Sequence, residues 1–92
     1  MGTKVGMKVI LKRGVLGNSE GTVGYVFHTY PDYDGLGKGA EIIFPNGEYD
    51  GFSVKEQTLY LEMGEVVPVY ADYVFTNVMQ VMRDFHSNYW KW

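Results

Sequence analysis

Two histidines, His28 and His86, are the side chains in this 92-residue chain best suited to move protons or bind a metal near neutral pH. Acids lie close in sequence to both, Asp32 and Asp34 for the first and Asp84 for the second. Neither has a second histidine or a cysteine at ligand spacing, and the chain has no cysteine. Both therefore read as surface or strand-edge histidines, and no metal or cofactor is expected. Gly17-Asn18-Ser19-Glu20-Gly21 fits the letters of a nucleophile elbow. That device needs a strand–turn–helix setting, and these residues lie between two strand-like runs. The run from Tyr30 to Gly35 opens like a calcium loop but lacks the remaining oxygen ligands, so it reads as an acidic solvated turn. Gly35, Gly37 and Gly39 precede a strand, where no helix N-terminus completes a phosphate cradle. With no acid, base and nucleophile set in view, the chain is not read as an enzyme.

Recognition chemistry is better represented. Eight tyrosines, five phenylalanines and two tryptophans exceed what a core this small must hide. From the set Tyr25, Tyr30, Tyr33, Tyr49 and Phe52, the residues Tyr30, Tyr33 and Tyr49 join Asp32 and Asp34 in an aromatic–acidic group suited to a basic or proline-rich peptide. The plainer alternative makes Tyr25 and Phe52 core residues and the loop tyrosines their cover. A second candidate surface is basic: Lys4, Lys8, Lys12 and Arg13 supply half of the eight cations and would serve nucleic-acid binding. The net charge of −3 and pI near 5.2 oppose non-specific attraction to nucleic acid or an anionic membrane. MGTKVGMKV lacks the apolar run of a signal peptide and no window is long enough to span a bilayer, so a soluble cytoplasmic protein is expected.

One domain of mainly β structure must position these residues. Val9 and Leu11 alternate with Ile10 and Lys12, and Val23, Tyr25 and Phe27 alternate with Gly24, Val26 and His28. This period of two predicts strands over Met7–Lys12 and Thr22–Thr29 with one face buried. Gly14, Gly17, Asn18 and Gly21 mark the bend between them as one needing positive φ. Further strands are predicted over Ala40–Phe44 and Glu48–Phe52. Asn46-Gly47 predicts a type I′ hairpin that pairs Phe44 with Tyr49, Ile43 with Asp50 and Ile42 with Gly51. Ser53 and Glu56 make a capping box that starts a short helical turn, and Leu59, Leu61 and Met63 alternate as a short strand. A helix is expected over Met79–Phe85, with Tyr73–Val78 either its first turns or a closing strand. Val74, Val78, Val81, Met82 and Phe85 offer a seam for self-association. Trp90 and Trp92 suggest that the tail docks, on its own domain or on another subunit.

Val9, Gly14, Gly21 and Val23 resemble the KOW motif, a strand–loop–strand element of Src-homology-three-like small barrels. Asn18 stands where that motif carries its middle glycine, with Gly17 before it. The match spans residues 9–26. The resemblance implies a small antiparallel Src-homology-three-like barrel over about residues 5–63, and with it a module that binds RNA or protein through loops and strand edges. Residues of about 70–92 form a C-terminal helical extension. The function expected is a non-catalytic module contacting a protein through the tyrosine-rich acidic loop and hairpin. The alternatives are a KOW-type nucleic-acid-associated barrel, which the resemblance implies, and a small acidic inhibitor or immunity-type protein.

Overall fold

The computed structural model describes residues 3–31 and 37–92. Five strands, β1 (Met7–Leu11), β2 (Val23–Thr29), β3 (Ala40–Ile43), β4 (Tyr49–Phe52) and β5 (Leu61–Val66), form one antiparallel sheet in the order β4-β3-β2-β1-β5. Two helices accompany it, α1 (Val54–Tyr60) between β4 and β5, and α2 (Val78–His86) after a 3-10 turn at Pro68–Tyr70. Among the described residues no helix is long and apolar enough to cross a membrane.

Both faces of the sheet are buried, which corrects the expectation of one. The first face collects Val9, Leu11, Val26, Ala40, Ile42, Phe44, Phe52 and Leu61 into a single cluster. Phe52 and Leu61 come from the two outermost strands, so the sheet curls around this core. Gly24 is required there: a Cβ would sit 2.8 Å from both Ile42 Cγ2 and the Phe44 ring. On the second face Tyr25, Phe27 and Ile43 pack with Tyr70, Val81 and Trp90. Period-two alternation could not reveal this cover, because it arrives from residues 67–92, remote in sequence.

The type I′ turn expected at Asn46-Gly47 is found instead between β1 and β2. Val15 and Asn18 form both hydrogen bonds of a narrow pair (2.9 and 2.8 Å), so Leu16 (φ 52°) and Gly17 (φ 80°) make the type I′ turn. Gly14 and Asn18, expected at positive φ, are not; Leu16 takes that strain instead. At the other hairpin Pro45, Asn46 and Gly47 form a three-residue loop, with Gly47 N–H donating to Phe44 O at 2.9 Å and only Gly47 at positive φ (85°). Pro45 presets the first position of a type I turn, and Gly47 supplies the left-handed residue that closes it. The register therefore slips by one from the expected pairing: Ile43 faces Tyr49, Ile42 faces Asp50 and Glu41 faces Gly51. Asn46 links both tips, donating to Leu16 O (3.0 Å) and accepting from Asn18 Nδ2 (3.1 Å).

The capping box forms as read, Ser53 Oγ accepting from Glu56 N (3.1 Å) and Glu56 Oε1 from Ser53 N (2.8 Å). It nucleates two turns rather than one, so Leu59 is helical and the strand begins only at Leu61, opposite Leu11. α2 spans the predicted helix with one residue added at each end. Residues 73–77 are neither strand nor helix. Asn77 caps α2 by accepting from Gln80 N (3.1 Å), and the Gln80 side chain turns back to Val74 O and Thr76 N (3.1 and 3.0 Å). These bonds satisfy the backbone of an irregular segment without extending the helix.

Candidate functional site

A bulge in β2 builds the most distinctive surface of the molecule. Val26 pairs with Ile42 and His28 with Glu41, so two steps along β2 match one along β3. The extra residue is Phe27, and the break in alternation turns both Phe27 and His28 toward the second face. There they line a cleft of about 350 Å³ together with Val5, Glu41, Tyr73, Val74 and Phe75. Phe75 stands edge-on to Phe27 (5.5 Å between centroids, 61°) and to His28 (5.3 Å, 79°), and stacks beside Tyr73 (6.0 Å, 25°). The irregular 73–77 segment thus carries one wall of the cleft and the sheet the other.

Tyr30 extends this surface. Its backbone N–H donates to Gly39 O (2.8 Å), its ring meets His28 edge-on (5.1 Å, 87°), and its hydroxyl end reaches over Gly51 next to Glu41. Gly51 leaves the room that a side chain would fill. Burial, then the Glu41 carboxylate and Asp50 beyond it, push the Tyr30 phenol up to about 12. Tyr73 is also raised, by burial and by the Asp84 carboxylate that accepts its hydroxyl at 2.7 Å. Both phenols stay protonated at neutral pH and act as hydrogen-bond donors.

Of the residues marked for partner contact, Tyr30 is 38% exposed and borders the cleft. Tyr49 lies two residues from Gly51 on the same face of β4, half-buried with its ring edge-on to Phe27 at 6.0 Å. Asp32, Tyr33 and Asp34 lie outside the described residues. Tyr25 and Phe52 are core residues on opposite faces. No protein-family model, curated protein or solved structure matches the chain.

Lys4, Lys8, Lys12 and Arg13 are all exposed but strung along β1, Lys4 before it and Lys12 and Arg13 after it. Lys12 Nζ donates to Thr58 O (2.8 Å), at the end of α1, and the Arg13 guanidinium lies 5.9 Å from the Tyr60 ring centre. The proposed seam divides. Val81, Met82 and Phe85 pack into the second-face core, whereas Val74 and Val78 are exposed. Among the described residues no three His, Asp or Glu side chains gather as a metal site would require. Glu41, Tyr73 and Phe75 escaped the sequence reading. Glu41 alone could have been found, as the single charge in the run AEIIF; Phe75 sits in a segment whose conformation has no local signature.

Proposed function

We propose that this chain is a non-catalytic binding module that contacts a protein partner through the surface around Tyr30, Glu41 and Phe75. The observation that carries the reading is the cleft itself. Aromatic rings from two separate segments and one half-buried carboxylate converge on an opening bordered by a solvent-exposed tyrosine. Interface anchors have this composition, and amphipathic rings supply contact area at small entropy cost. Val74, in the cleft wall, is 78% exposed, so the apolar lining continues to the solvent-facing rim.

The fold we assign to this module is a small barrel of the Src-homology-three-like class, with residues 9–26 as its KOW-like strand–loop–strand. Three features support that assignment: consecutive antiparallel pairing from β1 to β4, return of β5 to the free side of β1, and a core shared by the two outermost strands.

Capture of partners on the immobilised chain, with and without nuclease, tests the function. A stoichiometric protein that survives nuclease and is lost with Tyr30→Ala, but retained with Lys8→Gln, is the expected result. Loss of all captured material on nuclease would overturn the reading and favour a nucleic-acid partner. Capture indifferent to Tyr30→Ala would move the site elsewhere.

A further inference from the structure

The cleft has a more specific chemistry than apolar contact. Among the described residues its one carboxylate is Glu41, half-buried on β3 between β2 and β4 and facing Gly51 across the β3–β4 register. Opposite stand Phe75 and Tyr73, with Phe27 and His28 forming the sheet wall. An anion would meet the Glu41 carboxylate, with no lysine or arginine among the described lining residues. A neutral apolar group would desolvate the Glu41 carboxylate without pairing it, which is costly. A cation avoids both penalties, since it pairs with the carboxylate while its face or methylenes lie against ring faces.

Building on the binding-module reading, we propose that the cleft receives one arginine side chain of the partner protein, the guanidinium paired with Glu41 and flanked by Phe75 and Tyr73. The volume of about 350 Å³ lies at the lower end of small-ligand pockets, suited to a single long side chain. A planar guanidinium fits aromatic walls better than an ammonium, because it stacks flat and forks toward a carboxylate. Even with the Tyr30 hydroxyl beside it, a carboxylate has about four lone-pair sites and retains room for a two-pronged bond. The net charge of −3 favours a partner that presents basic residues.

The test is a nuclear magnetic resonance titration of the whole chain with N-acetyl-arginine amide and its neutral isostere N-acetyl-citrulline amide. The arginine probe should give saturable amide shifts centred on His28, Glu41 and Phe75. Citrulline should bind at least tenfold more weakly. Glu41→Gln, nearly isosteric, should remove that difference, and Phe75→Leu should weaken arginine several-fold while far-ultraviolet dichroism stays native. Equal binding of the two probes, or saturable shifts remote from the cleft, would overturn the proposal. So would a partner captured equally by wild type and Glu41→Gln, although the binding-module reading would then stand. Arginine binding in the cleft without any captured protein would support the cleft chemistry and count against the module reading alone.

Discussion

Trp90 offers the sharpest test of how the second face is held. It is 2% exposed and packs against Phe27 (6.2 Å), Tyr73 (5.0 Å) and Tyr89 (5.1 Å). Burying an indole removes roughly 150–250 Å² from water, about 4–6 kcal/mol at about 25 cal/mol per Å². Against this stands its Nε1–H, a buried donor without a partner among the described residues. Leaving a donor unsatisfied costs about 1–3 kcal/mol. The net is about 1–5 kcal/mol, and the cavity left behind puts Trp90→Ala in the upper part of that range, about 3–5 kcal/mol. A chain this size has only about 5–14 kcal/mol of stability, and each kcal/mol moves the midpoint by about 4–8 °C. The expected Tm loss is at least about 12 °C. Trp90→Phe keeps a ring and deletes the orphan donor, so its cost should be under about half as large. Urea unfolding followed by far-ultraviolet dichroism measures both without relying on the deleted fluorophore. A cost below about 1 kcal/mol for Trp90→Ala would refute the docked arrangement, and equal costs for the two variants would show that the indole N–H has a partner.

Five further outcomes are expected. Leu16→Asn should stabilise by about 1 kcal/mol in urea unfolding, because asparagine tolerates the left-handed φ that leucine holds at 52°. Gly24→Ala should destabilise by about 1–3 kcal/mol in the same assay, the added methyl colliding with Ile42 and Phe44. Asn77→Ala should cost about 1 kcal/mol through loss of the α2 cap, read as a lower thermal midpoint. Tyrosine titration gives the pH dependence: Tyr25, Tyr30, Tyr73 and Tyr89 all have raised values in the folded chain. The unfolded chain then loses phenolic protons first, so stability should be intact below about pH 10 and fall as pH rises beyond it. Glu41→Gln should return part of the Tyr30 shift, visible as earlier phenolate absorbance; an unchanged titration would mean that Glu41 is not a neighbour of that hydroxyl.

Much of the first face was legible because its signals are local. Alternation in Val9–Leu11, the apolar run at Ile42–Phe44 and the Ser53–Glu56 capping box each act within a few residues, and each appears where the pattern put it. Asn46-Gly47 misled by one residue because Pro45 precedes it: a proline with fixed φ begins the turn earlier, and the register follows. The slip has consequences for the site, since it sets Gly51 opposite Glu41 and opens the space that Tyr30 covers.

From its sequence alone, this chain determines a mainly β unit with helices near residues 54 and 79. The spacing of apolar residues, capping side chains and turn formers encodes those elements at short range. Only the tertiary structure decided what lies over the second face. Tyr70, Val81 and Trp90 reach Phe27 across more than forty residues, and no periodicity records such a meeting. The same holds for the cleft, where a bulge at Phe27 turns His28 to the face of Glu41 and an irregular loop brings Phe75 against both Phe27 and His28. A bulge depends on the register of two strands and a loop on the core it covers, so neither exists until the chain has folded.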